Sequence, residues 1–156
     1  MRKRILCMLL TAVMLLTLIP ITVFAGTADE AYAVLENNVL TFYYDSDRAS
    51  RATTATATYD VPADSREGSG DTTWCSEENK DTYGTVEAVV IDASFKNFDD
   101  LVSTHGWFSI NGGNTSIKSI SGLGNINTTN LTNISLMFSS LKSLAAVEHA
   151  AHICDI

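Results

Sequence analysis

The chain has 156 residues, with 10 Lys+Arg against 18 Asp+Glu and a formal net charge of −8. That balance argues against nucleic acid and anionic lipid as partners, because affinity for either rests on clustered Lys and Arg. The acidity itself reads as a solvated face and names no partner of its own.

In chain order, Arg2, Lys3 and Arg4 precede an apolar run from Ile5 to Phe24, which ends on the small residues Ala25 and Gly26. Basic, apolar, then small is the order of a secretory signal peptide, so positions 1–25 are read as a leader cleaved after Ala25. A stretch of about 20 apolar residues can also span a bilayer, which makes an uncleaved leader the competing reading and the one route to a membrane. Pro20 and the Val23-Phe24-Ala25 site favour cleavage. Cleavage removes Arg2, Lys3 and Arg4 and no acid, which takes the net charge from −8 to −11 and leaves enough chain for one domain. The expected location is secreted or cell-surface associated.

Cys7 lies at the start of the apolar run, away from where lipid attachment would fall. Cys75 and Cys154 remain in the mature chain, and the sequence leaves their pairing open, since a disulfide needs Cα atoms within about 7 Å. Neither these cysteines nor His105, His149 and His152 have zinc-ligand spacing. No metal and no cofactor is expected.

Glu30 to Leu35 and Val39 to Tyr44, separated by Glu36-Asn37-Asn38, predict a β-hairpin with Leu40, Phe42 and Tyr44 on one face. Residues 46–84 turn to Thr, Ala, Ser, Gly and Asp, with Tyr59, Val61 and Trp74 as the large apolar anchors, and predict an irregular loop. Thr85 to Asp92 is short and β-branched, a buried strand. Phe95, Phe98 and Leu101 recur at three-residue spacing, as in a helical turn beneath a sheet, and Asn111-Gly112-Gly113-Asn114 is a turn.

Ile117-Lys118-Ser119-Ile120 returns as Leu141-Lys142-Ser143-Leu144, and the interval from Ile117 to Leu141 is in the range expected of a leucine-rich solenoid. Leu131, Ile134, Phe138 and Leu141 predict a short return helix between the copies, capped by Thr129 or Asn130. The pattern stops at Ala145, leaving residues 145–156 as an off-pattern tail. The sequons at Asn114, Asn127, Asn130 and Asn133 are read as polar repeat positions whose side chains bond to turn backbone.

Residues 127–138, Asn-Thr-Thr-Asn-Leu-Thr-Asn-Ile-Ser-Leu-Met-Phe, resemble the "NTSNVTNMSxMF" signature of BspA-type leucine-rich repeat surface proteins of bacteria. The resemblance extends to Ala31–Tyr44 ("AYAVL…LTFYYD") and to the passage through Asp92-Ala93-Ser94-Phe95, Trp107-Phe108 and Ile117 to Leu123, covering residues 30–144 in all. The family's usual continuation survives only as the Ser-Leu within Ser139 to Leu144. The resemblance implies an exported, non-catalytic adhesion or ligand-binding protein, with host matrix or other cell-surface proteins as partners.

The expected fold class is therefore α+β: a cap containing the hairpin (residues 26–112), then a short, incomplete leucine-rich-repeat solenoid (113–144). Tyr32, Tyr43, Tyr44, Trp74 and Trp107 are either binding anchors or core. Two other readings compete: a truncated fragment of a longer repeat adhesin with only a structural capping role or none, and a secreted hydrolase. The hydrolase reading lacks G-x-S-x-G, H-E-x-x-H and a phosphate loop, and its best acid–base cluster, His105 with Asp99 and Asp100, reads as a solvated turn. Asp45-Ser46-Asp47 could offer oxygens to calcium but lacks the rest of an EF-hand loop, so it is taken as a hairpin end. No catalytic, cofactor-binding or metal residue is assigned.

Overall fold

A computed structural model describes residues 28–65, 73–109 and 116–148. The leader, the 111–114 turn, the sequon at Asn114, His149, His152 and Cys154 lie outside the described residues. The fold is mixed α/β with a sheet-dominated core and two helices of one turn each, α1 (Arg48–Arg51) and α2 (Lys80–Tyr83), among the described residues.

The hairpin forms as predicted. Strands β1 (Glu30–Glu36) and β2 (Val39–Asp45) pair antiparallel from Glu36↔Val39 out to Glu30↔Asp45. The two residues between them, Asn37 and Asn38, hold φ of 50° and 63°. Positive φ at both centres is the turn whose twist matches the flanking strands, and asparagine tolerates it better than most residues.

The stretch expected to be an irregular loop includes regular elements among its described residues. It supplies α1, then β3 (Ala57–Asp60), which pairs antiparallel with the other edge of β1, and β4 (Asp64–Ser65). Its Thr- and Ala-rich composition conceals a strand because pairing with β1 and burial of Tyr59 and Val61 supply what local propensity does not.

The predicted strand after residue 85 is β5 (Ala88–Ile91), lying parallel to β2. A 3-10 turn follows (Ala93–Asn97), started by Asp92, whose carboxylate accepts the Ser94 N–H at 2.9 Å. Phe95, Phe98 and Leu101 are all buried, as their spacing suggested. The chain then passes through β6 (Ser103–Thr104), parallel to β4, before returning to the main sheet as β7 (Ser119–Ser121) and β8 (Ala146–Glu148). The main sheet runs β3-β1-β2-β5-β7-β8, parallel from β2 onward.

Two expectations are corrected. Parallel pairing sets Val89 beside Ile120 and Ile120 beside Val147, so the segment matching Ile117 to Ile120 is Leu144 to Val147, not Leu141 to Leu144. Residues read as an off-pattern tail therefore include strand β8. The return segment is also not a helix. Leu136 and Ser140 have φ of 56° and 64°, outside the helical region, and Asn133 pulls the Ser135 N–H onto its own side chain at 3.0 Å.

The return segment is instead bonded crosswise to the one before it. Side-chain amides of Asn127 and Asn130 donate to the carbonyls of Lys96 (2.9 Å) and Asp99 (2.8 Å). Thr132 N–H reaches Val102 O at 2.8 Å, and Thr104, Gly106 and Phe108 N–H groups reach the carbonyls of Asn133, Ser135 and Met137 at 2.9 to 3.1 Å. Gly122 makes the turn out of β7 at φ 73°, and a Cβ there would stand 2.1 Å from the Ile91 carbonyl oxygen. Only glycine fits.

Between the sheet and the return segments lies an aromatic core. Phe42 stacks on Trp107 with ring centroids 5.2 Å apart and meets Trp74, Phe95 and Phe108 edge-on. Buried indole N–H groups need acceptors. Trp74 finds the Trp107 carbonyl at 2.8 Å and Trp107 finds Ser65 Oγ at 3.2 Å, while Ser65 and Ser103 exchange hydroxyl-to-carbonyl bonds across the β4–β6 pair.

Candidate functional site

Alternation along each strand sorts the side chains of the main sheet. One row by register, Leu35, Leu40, Val89 and Ile120, points into the core and ends at Val147, which is exposed. The outward residues of β2, β5, β7 and β8 form two rows by register: Val39, Ala88, Ser119 and Ala146, and beside them Thr41, Val90, Ser121 and Glu148. Nearly all are small and half-buried or exposed, so the face is a shallow floor of methyl and hydroxyl groups. Parallel pairing keeps that floor continuous across four strands.

The amino-terminal end of the sheet differs, because α1 packs on β1. Tyr32, although on the outward side, is fully buried. Its hydroxyl donates to Asp45 Oδ1 at 2.6 Å and accepts from Arg51, which also bonds Asp45 at 2.6 Å. The Arg51 guanidinium lies 3.9 Å from the ring centroid of Tyr43, and Tyr43 stacks on Tyr32 at 5.5 Å. Arg48, one turn earlier, holds Glu30 at 3.0 Å and Asp60 as well, tying β1 to β3. Burial alone would raise the Asp45 carboxyl, but the bonds from Arg51 and Tyr32 outweigh it and hold it below the ordinary carboxylate range. Burial and the bond to Asp45 push the Tyr32 phenol far up, so it stays protonated as the donor in this network.

This network accounts for the hairpin-end acids. Asp45 Oδ1, one of the oxygens considered for calcium, accepts from Tyr32, Arg51 and the Asp47 N–H at 2.9 Å, and is already matched to a cation. Among the described residues no three His, Cys, Asp or Glu side chains gather as a metal site. Cys75 is half-buried beside the core, and Cys154 lies outside the described residues.

The candidate aromatic anchors divide. Tyr32, Trp74 and Trp107 are in the interior, whereas Tyr43 and Tyr44 are half-buried. Tyr44 stacks on Phe98 at 5.2 Å, so Tyr43 at the Arg51 corner is the aromatic group that borders the outward floor. His105 bonds to Ser135 through Nδ1 and Oγ at 2.7 Å, rather than to Asp99 or Asp100. The Ser135 hydroxyl proton is directed to Asn133 Oδ1 at 2.6 Å, so His105 is the donor in its pair with Ser135. That arrangement fixes a turn and leaves no base on the serine.

Sequence reasoning did not single out Arg48 and Arg51. Their signal is present: two arginines three apart, directly after Asp45 and Asp47 and on the only basic stretch near the hairpin.

The large apolar side chains that remain exposed among the described residues are Ile134 at 64%, Leu136 at 56% and Phe138 at 44% in the return segment, and Val147 at 52% in β8. No described helix is long and apolar enough to cross a membrane. The chain matches no protein-family model, no curated protein and no solved structure.

Proposed function

We propose that this chain is an exported, non-catalytic binding module that recognises a protein ligand on the outward floor of the parallel sheet. The leader-like segment from Met1 to Ala25 and the resemblance to BspA-type repeat proteins support export and surface association. The succession of β5, β7 and β8 side by side, with Asn127 and Asn130 bonding one return segment to the last, supports reading residues 86–148 as leucine-rich coils stacked on the hairpin cap.

The observation that carries the reading is the floor itself. Eight outward positions on four neighbouring strands bear no large flexible side chain except Glu148 at the far edge, and Tyr43 under Arg51 closes one side. Small side chains let an extended partner surface approach the sheet closely, and a preorganised aromatic–arginine corner supplies the anchor type that dominates protein interfaces. The exposed Glu87–Lys118 pair at 2.8 Å, next in sequence to Ala88 and Ser119 of the floor, adds a polar rim. Host matrix proteins and other cell-surface proteins are the proposed ligand class.

The test uses the mature chain against immobilised matrix proteins and whole bacterial cells. Binding at micromolar concentration is expected, lost in Val90→Arg and Ser121→Arg with unchanged thermal unfolding. Binding no better than that of a scrambled acidic control removes the proposal.

A further inference from the structure

Residues 46–55 join β2 to β3, and none of them is buried. Backbone bonds pin the segment at both ends: Asp45 is the partner of Glu30 in the β1–β2 ladder, and Thr56 N–H reaches Leu35 O at 2.8 Å. Between the pins, α1 is one turn, with Ser50 and Arg51 N–H bonded to Asp47 O and Ala52 N–H to Arg48 O. Asp47 adds no side-chain cap. A helix this short does not hold itself, so its contacts must hold it.

Those contacts are charged. Within α1, Ala49 and Ser50 are exposed, and the half-buried side chains are the two arginines. Arg48 bonds Glu30 of β1 and Asp60 of β3, while Arg51 bonds Asp45 and the Tyr32 hydroxyl and has Asp47 at 3.7 Å. Each guanidinium carbon lies 5.8 Å from the ring centroid of Tyr32, which faces outward yet is fully buried. The paired side chains are 22% to 73% exposed, so salt reaches them. Raising ionic strength from about 0.1 M to about 1 M shortens the screening length from roughly 10 Å to roughly 3 Å.

We propose that residues 46–55 form an ionic strap that opens as a unit when its charges are screened or neutralised, and that ligand binding at the outward floor is regulated through it. The second half rests on the floor reading, because Tyr43 and Arg51 form the corner at which that ligand anchors. Opening lifts Arg48 and Arg51 off Tyr32 and dismantles the corner, while the pairing of β1 with β2 and β3 stays in place. The groups facing the two arginines are Glu30 and Tyr32 from β1, Tyr43 and Asp45 from β2, Asp47 beside α1 and Asp60 from β3. Acid acts on the four carboxylates. Asp45 is held below the ordinary range, so its bond is lost only as pH falls through that lowered value.

Amide exchange of the mature chain at pH 7 in about 0.1 M and about 1 M sodium chloride tests this, beside hydroxyl-radical footprinting of the Tyr32 ring. Measured against β1 and β2 amides, Arg51 and Ala52 should exchange about tenfold faster at high salt, with Tyr32 becoming reactive. Arg48→Met keeps the apolar stem and removes the pairs to Glu30 and Asp60; it should give a similar acceleration at low salt and a blunted response to added salt. Its tryptophan emission should stay native. Exchange at Arg51 and Ala52 that ignores both salt and Arg48→Met overturns the strap, as does exchange that rises only together with that of β1 and β2. By reciprocity, a matrix protein that binds in the test above should slow exchange at Arg51 and Ala52. Binding with unchanged strap exchange overturns the regulatory half. If no matrix protein binds, the floor reading falls and the regulatory half with it, while the salt and Arg48→Met measurements still decide whether the strap opens.

Discussion

Leu40 and Val147 stand in one row of one sheet, yet their surroundings differ as much as two positions in a small protein can. Leu40 is paired with Leu35 on one side and Val89 on the other and is fully buried in the hydrophobic core. Phe42, Trp74, Phe95, Trp107 and Phe108 interlock there with buried polar groups that find partners. Around Val147 the coil rests on one neighbour, and its bonds run backward to the segment before it: Ala145 and Ala146 N–H to Lys118 O at 2.9 and 3.1 Å. One region is held by mutual packing of aromatic side chains. The other is held by a ladder whose last rung faces outward. Stability should therefore be global in the first and local in the second.

The largest expected effect lies in the closed region. Trp107→Ala removes the ring that stacks on Phe42 and takes its N–H away from Ser65, and should cost about 3–5 kcal/mol. A fall of that size in the denaturant-unfolding free energy, shared by all probes, is the expected result; a drop confined to residues 117–148 would erase the distinction between the regions.

Next comes Asp45→Asn, which leaves Arg51 and Tyr32 without their carboxylate. Because the Asp45 and Arg51 side chains are only partly shielded from water, about 1–2 kcal/mol is expected. The sign with pH follows from the lowered carboxyl. The contribution is fully present above the unfolded value of about 4 and is lost as pH falls through the lower folded value. Thermal unfolding from pH 7 to pH 2 should show the wild-type advantage over Asp45→Asn shrinking at the acid end. An advantage that grows on acidification would refute the linkage.

The smallest effect belongs to the ladder. Asn127→Ala and Asn130→Ala each remove one side-chain bond to a preceding carbonyl and should cost about 1 kcal/mol apiece. Amide exchange should quicken through the return segment while β1 and β2 keep their protection. Equal loss in the hairpin would mean that the two regions unfold as one.

What can be read in the sequence follows the same division. The hairpin is legible because Asn37-Asn38 interrupts two alternating runs, and β5 because its residues are β-branched and continuous. β3 is not, since a Thr- and Ala-rich strand owes its existence to β1 beside it. The repeat is visible in the sequence but its phase is not. Lys118-Ser119 matches Lys142-Ser143 in identity, yet Lys118, Lys142 and Ser143 are exposed and Ser119 is on the outward face, where identity carries little force. Val147 opposite Ile120 shows the matching that hydrogen bonding imposes. The return helix rests on apolar spacing alone, and asparagine side chains capture the backbone there instead. The outward floor is foreseeable as an exposed strand face, while of the Arg51 corner only the arginine pair after Asp45 and Asp47 shows in the sequence, because the corner joins residues from β1, β2 and α1.

Backward-directed bonding has a consequence for how the chain acquires its shape. The carbonyls of Lys96, Asp99, Val102 and Lys118 are in place before Asn127, Asn130, Thr132, Ala145 and Ala146 reach them, and the N–H groups of Thr104, Gly106 and Phe108 are in place before the carbonyls of Asn133, Ser135 and Met137, so each segment offers the next both donors and acceptors. Assembly can then proceed vectorially, one rung at a time, from a nucleus near the hairpin, with the last rung free to fray and re-form while the rest stays folded.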